Sequence, residues 1–138
     1  MIPTTIIDQL KRDEGFRAKP YRDTKGNLTI GYGTNLDAGV DDPEACYLLG
    51  YRTQKARENM LAALPWVANL PDARFGAMLN LTYNMEIGVL LEFQKFLAAA
   101  EANDWDTAAQ ELINSKAHEE EPSRIERLAL QIRSNQWI

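Results

Sequence analysis

Apolar residues recur along this chain at two different periods. Near the start, Ile7 and Leu10 stand three apart and Glu14 follows four later, so the three share one stripe of a helix. Gly15 comes where a residue with positive φ would stop that helix. From Pro20 to Gly33 the period shortens to two. Tyr21 to Thr24 leads into a Lys25-Gly26-Asn27 turn, after which Leu28, Ile30 and Tyr32 face one way and Thr29, Gly31 and Gly33 the other, the pattern of a β-hairpin. If the loop is centred on Gly26, Asp23 and Thr29 fall opposite each other across the hairpin, close enough to hold one water, although the sequence alone does not set that register. Gly31 and Gly33 would leave room for a bulky polymer to approach the backbone.

The remainder reads as helices. Asp42-Pro43-Glu44 opens one, and a second runs from Arg52 to Leu64, ending before Pro65. Pro71-Asp72 opens a long apolar helix whose Phe75, Met78, Leu79 and Tyr83 suit a central core. Shorter helices span Phe93 to Asn103 and Trp105 to Asn114, with Asp104 placed to cap the second. The last helix, Pro122 to about Ser134, sets Ile125, Leu128, Ala129 and Ile132 at i, i+3, i+4 and i+7. Ser123 and Glu126 fit a capping box, and Trp137 is placed to pack the C-terminus back onto the fold.

Chemistry concentrates in the first of these segments. Glu14 is expected to emerge at the C-terminal end of an apolar face. Both the apolar neighbours and the negative end of the helix dipole disfavour its anion, which would raise its pKa and suit it to act as a general acid. Asp23 lies among Arg22, Thr24 and Lys25, where solvent and cations would keep it ionised. Two carboxyls driven toward opposite protonation states, with a hydroxyl at Thr29, are what glycoside hydrolysis requires. Each residue also has an ordinary explanation: an acid before a terminating glycine, an Asx-turn aspartate, a strand threonine.

The joint spacing, Glu14, eight residues, Asp23, five residues, Thr29, in Asp-Glu-Gly and Thr-Ile-Gly-Tyr-Gly contexts, resembles the catalytic signature of the phage-type, T4-lysozyme-like muramidases of glycoside hydrolase family 24. The likeness continues through Tyr83-Asn84-Met85, Leu90 to Leu97, Asp104 to Ala109 and Pro122 to Leu128, and is weak from about Asp41 to Asp72. It implies an α+β, lysozyme-like single domain over 1–138: a small N-terminal lobe with the hairpin (about 1–64), a larger all-helical C-terminal lobe (about 65–138), and a polysaccharide cleft between them. It also implies hydrolysis of the β-1,4 bond between N-acetylmuramic acid and N-acetylglucosamine in peptidoglycan, with Glu14 as acid and Asp23 and Thr29 placing the attacking water. Arg124 resembles the family arginine that pairs with the catalytic glutamate, a solvated helix charge being the alternative. Gly31, Tyr32, Tyr83 and Asn84 are further candidates for sugar contact, and core packing would equally explain Tyr32, Tyr83 and Asn84. The chain departs from the family pattern at Glu86 and Val89, where glycines are common, and at Ala117-His118-Glu119-Glu120-Glu121, where relatives usually carry a Trp and uncharged polar residues. Lytic transglycosylation of the same bond and a non-catalytic peptidoglycan-binding module are the competing readings.

Composition narrows the partners. With 138 residues and 45% hydrophobic content the chain can bury a core. Its 15 basic and 20 acidic side chains, net −5, argue against nucleic acid, and leave an acidic protein facing an anionic wall. One cysteine, Cys46, excludes an intramolecular disulfide, and a single histidine, His118, makes a zinc site improbable, so no metal or cofactor is expected. Cys46 is read as a small buried hydrophobe rather than half of a Cys46/His118 nucleophilic pair. The segment Met1 to Gly15 is a charged amphipathic helix rather than a signal peptide or membrane span. The expectation is therefore a monomer without membrane insertion, held in the host cytoplasm until a separate holin-type or export protein releases it to the cell wall.

Overall fold

The computed structural model describes residues 2–138, which form two compact units, the first ending at Tyr47 and the second Leu48–Ile138. The chain follows the order α1 (Ile6–Glu14), β1 (Arg17–Arg22), β2 (Leu28–Gly31), β3 (Thr34–Asn35), α2 (Asp42–Ala63), a 3-10 turn (Pro65–Asn69), α3 (Asp72–Met85), α4 (Ile87–Leu90), α5 (Gln94–Glu101), α6 (Trp105–Ile113), α7 (Lys116–Glu120) and α8 (Pro122–Ser134). A small antiparallel sheet followed by helices is the α+β class of architecture that the resemblance implied.

In the first unit, Thr5 caps α1 reciprocally with Asp8. Its hydroxyl accepts the Asp8 N–H at 3.1 Å and donates to the Asp8 carboxylate at 2.9 Å, holding that carboxyl below its ordinary pKa. Gly15 ends the helix at φ +69°, donating its N–H to the Lys11 carbonyl. The three strands pair in the order β1-β2-β3, with Arg17 opposite Gly31, Tyr21 opposite Thr29 and an irregularity between those pairs. Apart from Thr29, no described side chain of this unit is buried, and the apolar stripe of α1 (Ile6, Ile7, Leu10) is exposed.

The second unit holds the hydrophobic core, in which Met60, Met78, Leu81, Leu90, Phe96, Leu112, Ile125 and Ile132 are fully enclosed. At roughly 1.5–3 kcal/mol for each large apolar side chain removed from water, this cluster dominates the stability. α8 packs on α3, α6 and α7, and α5 packs on α6. The four periodic residues of α8 are all buried, as their spacing requires. Two polar links fix the packing. Arg74 of α3 donates to the carbonyls of Ile132 and Arg133, the C-terminal end of α8, and Gln131 returns a bond to the Ala73 carbonyl. Burial lowers the Arg74 pKa, and its guanidinium lies 4.4 Å from the Trp105 ring centroid. Trp137 folds back so that its ring rests on Gly76.

Three helical expectations change. The predicted break before Arg52 is absent, and α2 is one helix of 22 residues opened by a reciprocal cap between Asp41 and Glu44. Cys46, on its first turns, is exposed rather than buried. Ser123 and Glu126 form no capping box, since Glu126 instead meets His118 of α7 at 3.0 Å.

Candidate active site

Glu14 is the last residue of α1, and the sharp reversal at Gly15 turns the chain into β1, so its side chain lies against the β2–β3 turn. The contact is with Gly33, whose φ is +76°. A Cβ built there would lie 2.5 Å from Glu14 Oε2. The space beside Gly33, expected from the sequence to admit polymer, is therefore occupied by the Glu14 carboxylate, whereas a Cβ at Gly31 would meet nothing within 4 Å. Among the described residues neither Glu14 oxygen has a hydrogen-bond partner, and the side chain is exposed. The apolar surroundings expected for it are missing within this unit because Ile7 and Leu10, on the same stripe, are themselves exposed.

Asp23 is held by the turn that it opens. Its Oδ1 accepts the backbone N–H of Lys25 at 2.9 Å and of Asn27 at 2.8 Å, an Asx turn, while its own N–H donates to the Asn27 carbonyl. These bonds, led by that from Asn27, favour the anion and pull the Asp23 pKa below the usual carboxylate range, with Lys25 adding a smaller Coulombic pull. The expected ionised state stands, with the cause shifted from side-chain cations to backbone donors. Arg22 is engaged elsewhere, with Asp37 at 3.1 Å and the Gly26 carbonyl. The Asn27 side chain adds a further hydrogen bond to the Asp23 carboxylate in the same sense.

Thr29 sits opposite Tyr21, not opposite Asp23 as the turn centred on Gly26 suggested. The turn closes on the Asp23–Asn27 backbone pair, and that closure sets the register. Thr29 and Asp23 are joined through Asn27, whose carbonyl accepts both the Asp23 N–H at 3.0 Å and the Thr29 hydroxyl at 2.9 Å. Thr29 is 3% exposed. Asn27 is thus a site residue that the sequence reading missed; its position just after the turn glycine was the available signal.

Of the remaining candidates, Gly31 has φ +67° and pairs with Arg17, and Tyr32 is exposed, its ring 5.5 Å from that of Phe16 and 5.8 Å from Lys11 Nζ, so it is not core. Tyr83, Asn84 and Arg124 belong to the second unit. Tyr83 is exposed, and Asn84 is half-buried. Arg124 donates to Asn80 Oδ1 through Nε and Nη2 (3.1 and 2.8 Å) and to Asn84 Oδ1 through Nη1 (3.1 Å). Asn84 in turn donates to Glu121 at 2.7 Å, and Glu121 lies 3.8 Å from Arg124, so Arg124 is built into a polar network rather than merely solvated. Among the described residues no three His, Cys, Asp or Glu side chains gather as metal ligands, and no helix is long and apolar enough to cross a membrane.

The family described as phage lysozyme matches residues 11–131. The chain is 27% identical over 155 residues to Probable T4-type lysozyme 2 of Dictyostelium discoideum, covering 91% of each chain. It is 26% identical over 156 residues to Probable T4-type lysozyme 1 of the same organism, again covering 91% of each.

Proposed function

Since the chain belongs to the phage lysozyme family, we propose that it is a muramidase of the endolysin type, hydrolysing the β-1,4 bond between N-acetylmuramic acid and N-acetylglucosamine in peptidoglycan and so lysing cell wall. Glu14 protonates the glycosidic oxygen as the bond to the anomeric carbon breaks. Asp23, ionised, accepts a proton from the attacking water, and Thr29, tied to Asp23 through Asn27, helps align that water. Arg124 keeps the supporting role that the family resemblance implies, braced within its own unit by Asn80 and Asn84. The observation that carries the reading is the pairing, in one unit, of a carboxyl with no hydrogen-bond partner on Gly33 and a carboxylate whose pKa is pulled down by backbone donors.

General acid catalysis typically contributes about 10²- to 10⁴-fold, so Glu14→Gln should cost on the order of 3–5 kcal/mol of transition-state stabilisation. Release of reducing ends from purified peptidoglycan by a folded Glu14→Gln protein at near wild-type rate would refute the assignment. Mass spectrometry of the products tests the reaction class, since 1,6-anhydro ends would mean transglycosylation.

A further inference from the structure

A groove of about 460 Å³ on the second unit is lined by Leu48, Tyr51, Arg52 and Lys55 of α2, Tyr83 of α3, and Glu86 just beyond it. Its chemistry runs against the acidic balance of the chain. Arg52 and Lys55 stand together in its wall, and among the described residues neither forms an ion pair, so both cations are available to a ligand. Lys55 lies 5.7 Å from the centroid of the Tyr51 ring, and the two tyrosines are 67% and 40% exposed (Tyr51 and Tyr83). Glu86 lines the same groove from a strained position, φ +68° and ψ +153°, close to the conformation that Gly15 adopts after α1. A residue that a glycine would replace without strain thus stands in the wall of the groove.

We propose that this groove is a subsite for carboxylate-bearing muropeptide. Tyr51 and Tyr83 stack on sugar rings, Arg52 and Lys55 take a lactyl or stem-peptide carboxylate, and Glu86 accepts hydrogen bonds from the amide or hydroxyl groups beside it. The inference rests on the proposed muramidase reading for its substrate class and supplies what that reading lacks, a local positive site through which an acidic protein holds an anionic polymer.

Two measurements on the full chain test it. In the first, a soluble disaccharide muropeptide is titrated into ¹⁵N-labelled protein. Shifts should centre on Tyr51, Arg52, Lys55, Tyr83 and Glu86, and should vanish when the ligand carboxylates are methyl-esterified. In the second, R52Q/K55Q should raise KM for peptidoglycan about three- to tenfold at low salt with little change in kcat, the difference closing as salt screens it, and R52K/K55R should restore KM. Equal binding of the esterified ligand, shifts that bypass the groove, or an unchanged KM in a folded R52Q/K55Q protein would overturn the proposal. If the wild type releases no reducing ends, the muramidase reading falls, and the titration still decides the groove.

Discussion

Replacing Gly33 by alanine should separate the placement of Glu14 from the stability of the fold. The backbone at Gly33 has φ +76°, and the new Cβ would lie 2.5 Å from Glu14 Oε2 and 2.9 Å from its Cδ. Ordinary contact distances begin at about 3.5 Å, so the carboxylate must retreat by about 1 Å. Because Glu14 is exposed and its carboxylate is the free end of a flexible side chain, that retreat costs the fold little. The left-handed backbone costs an alanine roughly 1–2 kcal/mol, partly offset by the roughly 0.4–1 kcal/mol gained from a stiffer unfolded chain, which leaves a net loss of about 1 kcal/mol. The effect on chemistry is much larger. A misplacement of about 1 Å at a reacting group costs on the order of 10²-fold, equivalent to about 2.7 kcal/mol in the barrier. Gly39→Ala is the control, with φ +77° and nothing within 4 Å of its Cβ; it carries the same backbone strain without touching Glu14. Urea unfolding should put both variants within about 1 kcal/mol of each other, while reducing-end release from peptidoglycan falls only in Gly33→Ala. Retained activity in a folded Gly33→Ala protein would show that the seat of Glu14 on Gly33 has no part in catalysis.

Other perturbations reach the remaining features. Glu86→Gly should raise stability by about 1 kcal/mol, since the strain relieved (roughly 1–3 kcal/mol) exceeds the added freedom of the unfolded glycine, and a lowered thermal midpoint would contradict this. The Asp23 pKa is depressed in the folded state, so its contribution to stability is present above the ordinary carboxyl pKa and is lost as pH falls through the lower folded value. Asp23→Asn keeps an oxygen for the Asx turn but removes that dependence; urea titrations at neutral and acid pH should show the gap between wild type and variant narrowing on acidification, and an equal acid sensitivity would refute it. Gly76→Ala would drive the Trp137 ring from its place on α3. The overpacking cost of about 1–3 kcal/mol is partly offset by the gain of about 1 kcal/mol in helix propensity, leaving a loss of about 0–2 kcal/mol, so near-UV circular dichroism should register the change more directly than the melting temperature.

The sequence carried the helical half of the fold well where periodicity was strong. In α8 the four spaced residues are buried, α3 begins after Pro71, and Asp104 caps α6 by accepting the Thr107 N–H. It misplaced α2 because that helix has no continuous apolar stripe; Met60 is its only buried residue, so neither its continuity through Gly50 nor the exposure of Cys46 was written in the pattern. Glu14, Asp23 and Thr29 were legible as a spacing, but their geometry was not. A shift in where the turn closes moves every partner across a hairpin, and here closure at Asp23–Asn27 puts Tyr21 opposite Thr29. In the acidic run Glu119 to Glu121, Glu120 lies 4.0 Å from Lys116 at the i,i+4 spacing that a helix pattern offers, whereas Glu121 bonds Asn84 across 37 positions, a contact no local pattern encodes.

The clasp between Arg74 and the end of α8 bears on how the protein is made. Its donor and acceptors are separated by 58 and 59 positions, and Gln131 answers to Ala73 across 58. During translation α3, α5, α6 and α7 leave the ribosome before α8, so the core that holds Met78, Leu81 and Leu112 is completed only by the last helix to emerge. A chain ending before Ile125 would lack both the acceptors of that clasp and the Ile125, Leu128 and Ile132 side chains that complete the core.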